Sequence, residues 1–537
     1  MVTYSTPGVY VEEIPTLAPS VAPVATAIPV FIGYTQTGPL LKPTRINTLL
    51  DYESLFGRAN PSTFEVKEDG SITRTDAQTN AFLMYYGISL YFQNGGGSCY
   101  ILSVGDYSGT PDKKNFEDAL TALEKEDEPT LIVLLDATAL PVVDYYTLCS
   151  TALAQCKKLG DRFLIVDIPD GKIDDFRSTF GINNLSYAAA YHPYLNTTLN
   201  FQYQEDKVRK TAGVGGNFQW LSGNDGMTVL YVGVAGDKPK VKITADASGA
   251  NKAEFSVASS TLSIKTAAIA PTSAEVVAAW NLWKSANPAA GFDIKNSGAG
   301  GATAAVTAAG GVALTALPDA TLADLRQSNT ALYNQIKSSL ANQRVTLPPS
   351  AAIAGIYAGT DRDRGVWKAP ANVSLNAVIG PIVKISDAEQ DLLNIDPAAG
   401  KSINAIRAFT GKGTLVWGGR TLAGNDNEWR YVSVRRLFIT IEESTRKASA
   451  FAVFEPNDAT TWLKVKAMIE SYLYGLWQQG ALAGSKPESA YFVSVGLGKT
   501  MTAQDILEGR MIVSIGVAAV RPAEFIILRF SHKLQEA

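Results

Sequence analysis

A change of residue pattern between about residues 226 and 317 divides this 537-residue chain. Inside that stretch the composition shifts to Ala, Thr, Ser, Gly and Val with few charges, and residues 240–244, 254–257 and 261–265 alternate strictly between apolar and polar side chains. Strict alternation predicts half-buried strands, whereas a structureless loop of this length is uncommon. Because a helix-and-strand pattern resumes directly afterwards, we expect an inserted β-rich domain whose two ends lie close together.

The sequence before this insert predicts helices that alternate with buried strands. Residues 116–126 and 145–159 show the apolar spacing of amphipathic helices, and residues 131–135 and 163–167 are short apolar runs. This order is typical of βαβ units in a mixed α/β domain.

The C-terminal third predicts two further amphipathic helices. Residues 432–448 place Val434, Leu437, Phe438 and Ile441 on one side. Residues 459–478 carry a second apolar stripe, and Asp458 stands where a helix N-cap is expected.

Both ends of the chain predict β-strands. Residues 8–12 alternate in pattern and lead into prolines at positions 15, 19, 23 and 29. Such spacing favours an extended tether, about 40 Å long at roughly 3.1 Å per residue. Residues 522–530 are apolar on both faces, so this strand must be covered or paired on both sides. A terminal strand either enters its own sheet or pairs with a neighbouring chain.

The sequence argues against catalysis. His192 and His532 are the only histidines, which leaves almost nothing for a catalytic triad or a histidine metal site. The glycine-rich residues 496–500 have Val493 where a phosphate-binding loop needs glycine. We therefore expect no catalytic residue, no cofactor and no metal.

Three aspartates allow a second interpretation of the chain, as an enzyme with a ligand-binding site. Asp136, Asp167 and Asp170 lie just beyond predicted strand ends, where α/β enzymes often place ligands. Without support from glycine loops or histidines, we interpret them as turn or helix-capping residues.

Charge and cysteine content restrict the environment. The net charge is −4, from 47 basic and 51 acidic residues, so we expect no contact with nucleic acid. The odd number of cysteines (Cys99, Cys149 and Cys156) predicts buried thiols in a reducing compartment. We find neither a cationic leader nor an apolar run of membrane-spanning length, and expect no secretion signal and no membrane insertion.

Several segments resemble the tail sheath proteins of contractile phages and of phage-tail-like injection systems. The resemblance covers the first forty residues and nearly everything after residue 346. Its segments are residues 6–13 (TPGVYVEE), 348–355, 360–372 (TDRDRGVWKAPAN), 416–422 (VWGGRTL), 429–437 (WRYVSVRRL), 454–457 (FEPN) and 521–525 (RPAEF).

The resemblance implies an α+β (mixed α/β) multidomain fold. A C-terminal core domain is completed by N-terminal residues, and terminal strands are exchanged between subunits. The expected division is an N-terminal linking arm at 1–30, an α/β domain at 31–225 of which part joins the core, the inserted surface domain at 226–318, the core domain at 319–515 and a C-terminal linking arm at 516–537.

The resemblance also implies a non-enzymatic subunit that polymerises as a helical sheath of stacked, usually hexameric, rings around an inner tube and contracts. Its implied partners are further copies of itself, the inner tube protein, and baseplate and terminator or cap proteins. It is expected to assemble in the cytoplasm as part of a phage tail or tail-like particle. The alternatives are an α/β enzyme, disfavoured by the histidine count, and a surface adhesin, which would normally need an export signal.

The residues expected in the inter-subunit arms and contacts follow from the same resemblance. The arm residues are Tyr4, Pro7, Gly8, Val9, Tyr10, Val11, Glu12, Glu13, Pro522, Glu524, Phe525, Ile526, Ile527, Leu528, Arg529 and Phe530. The charged helix residues Arg435, Arg436, Lys464, Lys466 and Glu470 are expected either on solvated surface or in contact with the tube or lattice. Asp361 and Asp363 alternate with arginines in an expected loop, and the resemblance favours a salt-bridge network there over a cation site.

Overall fold

Helices and strands alternate along most of the chain in a computed structural model that describes residues 20–67, 70–77, 81–211, 217–222, 225–232, 238–245, 253–267, 269–288, 291–296, 309–317, 320–396 and 400–527. The strands are β1 Pro29–Gly33, β2 Thr44–Ile46, β3 Ser62–Val66, β4 Ile72–Arg74, β5 Cys99–Ser103, β6 Leu131–Val133, β7 Phe163–Asp167, β8 Ala188–His192, β9 Leu195–Asn200, β10 Tyr203–Lys210, β11 Asn217–Ser222, β12 Met227–Val232, β13 Lys240–Ala245, β14 Glu254–Ala258, β15 Thr261–Thr266, β16 Phe292–Asn296, β17 Ala309–Ala313, β18 Thr315–Ala316, β19 Ala320–Thr321, β20 Arg344–Leu347, β21 Val373–Ser374, β22 Val378–Pro381, β23 Ile403–Phe409, β24 Gly413–Val416, β25 Tyr491–Val495 and β26 Val513–Val517. The helices are α1 Leu49–Phe56, α2 Met84–Gln93, α3 Lys113–Leu123, α4 Val142–Leu159, α5 Ile173–Thr179, α6 Ser273–Ala286, α7 Leu322–Ser328, α8 Thr330–Leu340, α9 Ser350–Arg364, α10 Asp387–Asn394, α11 Val432–Ala448, α12 Ala459–Gln478, α13 Pro487–Ala490 and α14 Ala503–Leu507.

The first of two compact units is built on a nine-stranded mixed sheet. This unit contains the described residues up to Ala59, then Ala81–Leu199, then those from Val345 onward. The strand order is β2-β5-β1-β6-β7-β8-β23-β24-β21, and the pairs from β5 through β23 are parallel. Val30, Phe31 and Ile32 of β1 are fully buried, as a continuous apolar run is in a parallel sheet covered on both faces. The N-terminal and C-terminal parts of the chain therefore complete one sheet.

A second core in this unit surrounds the C-terminal helices. Leu437 and Ile441 of α11 and Val465, Ile469 and Leu473 of α12 are buried together. One face of the antiparallel hairpin β25–β26 packs on the same core, as α12 contacts β25. A separate three-stranded sheet has the strand order β20-β9-β22.

The second compact unit comprises residues Asn60–Asn80 and Asn200–Arg344. Two four-stranded sheets, β16-β12-β11-β18 and β14-β15-β13-β17, share one apolar core with α6, centred on the fully buried Trp280. The insert expected at 226–318 lies within this unit.

A separate apolar cluster in the second unit joins the sheet β19-β10-β3-β4 to α7 and α8. Phe64 and Val66 of β3 pack there with Val208 and Leu322. The unit is wider than the expected insert because it also includes β10 and β11 before it, α7 and α8 after it, and β3 and β4 from far upstream.

The predicted mixed α/β, multidomain fold class is confirmed, and α11 and α12 have the predicted bounds. Other elements differ in length. The helix predicted at 116–126 spans Lys113–Leu123, where Asp112 accepts the hydrogen bond of an N-cap. The strand predicted at 131–135 stops at Val133, because a turn of 3-10 helix begins at Asp136. Among the described residues, we find no helix that combines the length and apolar character needed to cross a membrane.

Candidate lattice-contact site

The hairpin β25–β26 is a two-stranded antiparallel sheet. Tyr491 pairs with Val517 and Val495 with Val513. Val493 is buried on the face that packs against the helices, whereas Phe492 is exposed on the other face. In the part of the chain that the structure describes, neither outer edge of this hairpin is paired with a third strand.

The chain leaves the hairpin as an arm, here defined as residues 518–527. Its first residues remain hydrogen-bonded to their own subunit, since the Ala518 N–H donates to the Ala490 carbonyl at 2.8 Å and the Ala483 N–H donates to the Ala518 carbonyl at 2.7 Å. The Val520 N–H donates to the Ala481 carbonyl at 3.3 Å. The Arg521 guanidinium then donates to the Asn427 carbonyl at 2.8 Å.

The Glu524 carboxylate is the strongest attachment of this arm. Arg420 donates to both of its oxygens, with Nη2 at 2.6 Å from Oε2 and Nε at 2.9 Å from Oε1. Asn394 Nδ2 donates to Oε1 at 2.9 Å, and the Tyr431 hydroxyl donates to Oε2 at 3.1 Å. The Arg420 side chain is 4% exposed and that of Glu524 is 22% exposed, so the pair is largely removed from water.

Burial opposes ionisation of Glu524, but its hydrogen-bond donors have the larger combined effect. The hydrogen bonds from Arg420 and Asn394 and the positive charge of Arg420 hold the pKa of Glu524 below its ordinary value. Glu524 is therefore ionised at neutral pH.

Apolar residues follow immediately after this ion pair. The exposed fractions of Phe525, Ile526 and Ile527 are 68%, 79% and 77%. The strand expected at 522–530 is absent from Pro522–Ile527 in the single chain. Its remaining residues, Leu528, Arg529 and Phe530, lie outside the described residues.

The N-terminal arm residues 4–13 also lie outside the described residues. The described end of the proline-rich tether is attached to its own subunit, since the Val24 N–H donates to Ser444 Oγ at 3.2 Å and Arg436 Nη2 donates to the Thr26 carbonyl at 2.8 Å. Any free tether is therefore shorter than the expected residues 15–29.

Arg435 and Arg436 do not lie on solvated surface or at an exposed contact, where they were expected. Both are buried. Arg436 forms a two-point ion pair with Asp361, at 2.6 and 3.0 Å, and lies over the Tyr357 ring. Arg435 lies between the rings of Tyr187 and Trp429. Because the N-terminal half of α11 is covered on most sides, these two arginines are not surface contact residues.

Lys464 is exposed on α12, and Lys466 and Glu470 are half-buried with their charged groups 3.6 Å apart. They remain available as contact residues.

Asp361 and Asp363 lie in the last turn of α9 and not in a loop. Asp361 is the buried partner of Arg436, whereas Asp363 pairs with Arg362 at the surface. The described ranges contain no group of three or more His, Cys, Asp or Glu side chains arranged to hold a metal ion.

Asp136 and Asp167 cap helices that have no side-chain cap of their own. Asp136 accepts from the Tyr34 N–H at 2.8 Å and from the Leu83 N–H, at the start of α2, at 2.6 Å. Asp167 accepts from the Ser350 N–H and hydroxyl at the start of α9. Burial raises the pKa of each to about 7, against these hydrogen bonds, which lower it. Asp136 and Asp167 therefore have a structural role. Asp170 lies at the surface.

The other candidate reactive groups are enclosed. Burial lowers the pKa of His192 to about 4, so it is neutral at physiological pH, and His532 lies outside the described residues. Cys99, Cys149 and Cys156 are free and buried, and burial raises the pKa of Cys156 to about 12.

Sequence reasoning did not identify Arg420, Asn394 and Tyr431 as partners of Glu524. A signal was present, because Arg420, Tyr431 and Glu524 each belong to a different one of the segments that carry the family resemblance. The structure brings these three segments together.

Comparison with known proteins gives matches of one kind. Residues 424–533 match the phage tail sheath C-terminal domain family. The tail sheath protein of Vibrio phage KVP40 is 26% identical over 188 residues, which are 34% of this chain and 26% of the phage protein. This chain thus aligns with about a quarter of that relative's length.

Solved structures match over nearly the full length. A chain of the anti-feeding prophage baseplate, from a 6-fold symmetrised cryo-EM structure, is 30% identical with a TM-score of 0.57, over 99% of this chain and 100% of that one. A chain of the PVC sheath complex, an extracellular contractile injection system in the contracted state, is 28% identical with a TM-score of 0.56, over 99% of both chains. With these sequence segments, this fold and these matches, the chain belongs to the family of contractile tail sheath proteins.

Proposed function

We propose that this chain is the structural subunit of a contractile sheath that polymerises helically around an inner tube and contracts to drive the tube through a target envelope. The observation that carries the proposal is the match over 99% of the chain to a subunit of a contractile sheath complex. Heterologous contacts between identical subunits, repeated without closing, generate such helices.

Strand exchange is the proposed means of linking subunits. An isolated two-stranded hairpin is marginally stable in water, and both edges of β25–β26 are free of a third strand within the described ranges. The arm of the same chain carries the exposed apolar residues Phe525, Ile526 and Ile527, which need a cover. We propose that the C-terminal arm and the N-terminal residues 4–13 of neighbouring subunits add to this hairpin by β-augmentation.

The remaining partners are proposed from the family. They are the inner tube, with Lys464, Lys466 and Glu470 as contact residues, and baseplate and terminator or cap proteins, with rings of six subunits. We propose a non-enzymatic role without cofactor, metal or nucleic acid, in a particle assembled in the cytoplasm and released by lysis. The β-rich insert at 226–318 is proposed to be a surface module between the 31–225 and 319–515 domains, with linking arms at 1–30 and 516–537.

Negative-stain electron microscopy of the purified chain tests the proposal. We expect tubes or striated cylinders. Val9→Pro would remove a backbone donor from the exchanged N-terminal strand and should leave folded subunits that do not assemble. The concentration used is one at which sheaths of related systems form in the presence of their tube and baseplate proteins. Wild-type protein that stays as separate particles under those conditions would contradict the proposed function.

A further inference from the structure

We propose that Glu524, Arg420, Asn394 and Tyr431 form a latch that fixes the point at which the C-terminal arm leaves its own subunit. When the arm is pulled, this arm latch transmits the force to the nine-stranded sheet and not to the hairpin β25–β26. The inference rests on the proposed function, because only an arm bound to a neighbour is pulled.

One carboxylate concentrates the contacts of the arm. Arg420, Asn394 and Tyr431 all donate to Glu524. A two-point guanidinium–carboxylate pair is among the stronger hydrogen-bonded contacts in proteins and restricts direction as well as distance. Its partial burial reduces screening by salt. Such an attachment is far more specific than a chance surface ion pair.

Arg420 is itself anchored. The Arg420 N–H donates to Asn404 Oδ1 at 2.8 Å, and Asn404 Nδ2 donates to the Arg420 carbonyl at 2.8 Å. Asn404 belongs to β23, and its Nδ2 also donates to the Ala190 carbonyl of β8 at 3.1 Å. The path from Glu524 therefore ends on two parallel, buried strands inside the large sheet.

Without the latch, a force on the arm would act on the backbone that leads into the hairpin β25–β26. The arm follows β26 directly, and β26 is paired only with β25 among the strands that the structure describes. A pull on the arm would first break the backbone hydrogen bonds of Val520 and Ala518 with residues 481–490, and then those of the hairpin one after another, starting at Tyr491 and Val517. That pull would open the surface to which neighbouring arms are proposed to add.

The position of the latch fits this role. Glu524 is the last residue of the described arm that is attached to its own subunit by a side-chain contact, and the exposed Phe525, Ile526 and Ile527 come next. The latch thus separates a part of the arm that belongs to its own subunit from a part available to a neighbour.

The test begins with the unassembled full-length chain. A nitroxide label on Ile527→Cys reports the mobility of the arm, and the three native cysteines are buried and should not react. Glu524→Gln keeps the shape of the side chain but loses its charge and one acceptor oxygen. We expect the released population to rise by about tenfold or more, as for the loss of charge-assisted hydrogen bonds. Tyr431→Phe, which removes one hydroxyl, should give a smaller increase.

The matched control is Glu508→Gln. Glu508 also pairs with an arginine, Arg510, at 2.7 Å, but this pair lies at the surface outside the latch. The control should leave the mobility of the label unchanged from the parent. Since Glu524 lies on the arm and not in a core, loss of folding is not expected, and circular dichroism of each variant verifies this.

The second measurement concerns assembled particles without the label. We expect Glu524→Gln sheaths to form but to break or lose subunits during contraction several-fold more often than wild type and Glu508→Gln, by electron microscopy. An unchanged label in Glu524→Gln would overturn the latch. A released arm with sheaths as robust as wild type would overturn its mechanical role while leaving the sheath function intact. Failure of wild type to assemble would instead contradict the proposed function, and the label would still decide whether the latch exists.

Discussion

Asp136 follows β6 and Asp167 ends the neighbouring strand β7, and the two carboxylates accept hydrogen bonds from different donors. Both oxygens of Asp136 face backbone N–H groups, which cannot reverse direction, whereas one oxygen of Asp167 faces the Ser350 hydroxyl, which can rotate and accept. At position 167 the NH2 group of an asparagine can donate to the Ser350 hydroxyl oxygen. At position 136 the same NH2 group would face a backbone N–H, which is also a donor.

We expect Asp136→Asn to lower the free energy of unfolding by about 2 kcal/mol and Asp167→Asn by less than about 1 kcal/mol. Urea unfolding at pH 8 measures this, because both carboxyls are then largely ionised. Asp170→Asn, at the surface, is the control and should change stability by less than about 0.5 kcal/mol. Equal losses at positions 136 and 167 would contradict the assignment of donors.

Acid should release the C-terminal arm. The pKa of Glu524 is lower in the folded chain than in the unfolded one, so its stabilisation is fully present above the ordinary glutamate pKa of about 4.3 and is lost as the pH falls through the lowered value. The nitroxide on Ile527→Cys should therefore become increasingly mobile as the pH falls below that ordinary glutamate value. In Glu524→Gln the label should be mobile at every pH, and an acid-dependent release in that variant would exclude Glu524 as its cause.

Two helical glycines show how packing decides the effect of one methyl group. A Cβ on Gly355 of α9 would lie 2.6 Å from the Tyr91 carbonyl oxygen of α2, a backbone atom that cannot rotate away. A Cβ on Gly475 of α12 would meet no described atom within 4 Å. The close contact of α2 with α9 therefore requires glycine, whereas α12 does not.

We expect Gly355→Ala to destabilise the chain by about 1–3 kcal/mol through overpacking. Gly475→Ala should stabilise it by about 0.5–1 kcal/mol, since alanine favours the helix. Thermal unfolding of the unassembled chain compares the two. The same sign for both variants would show that helix propensity, and not the contact between helices, dominates at these positions.

At the scale of elements, the sequence predicts what is local. The bounds of α11 and α12 follow from apolar spacing and, for α12, from Asp458, which caps it in the structure. Contacts between distant segments are not encoded in such periodicity. The burial of Arg435 and Arg436 depends on Tyr187, Trp429 and Asp361, and the partner of Glu524 lies 104 residues away. Only the family resemblance grouped those segments.

The β-rich insert can be removed, together with β11, at a defined place in the second unit. β10 and β19 pair antiparallel, with Lys210 opposite Ala320, so the chain enters and leaves the insert at adjacent positions. The core around Trp280 and the cluster around Phe64 share no residue. Removing residues 212–318 therefore leaves the second cluster complete.

We expect a chain in which an Asn-Gly turn replaces residues 212–318 to fold, assemble and contract like wild type, because such a turn closes an antiparallel pair. Electron microscopy of assembly and contraction, with circular dichroism of the unassembled chain, measures this. A folded variant that fails to form sheaths would show that the insert is part of the lattice and not a surface module.

The pairing of β8 with β23 has a consequence for how the chain is made. Residue 192 leaves the ribosome long before residue 403, roughly 10–40 s earlier at about 5–20 residues per second. During that interval the edge of β8 has no partner from its own chain and can template other strands. Arg420, the hairpin and finally Glu524 are synthesised after β23. The chain therefore acquires the hairpin and the C-terminal arm, unlike the N-terminal arm, only after its central sheet can close. The order of synthesis itself thus prevents an unfinished subunit from accepting a neighbour's strand.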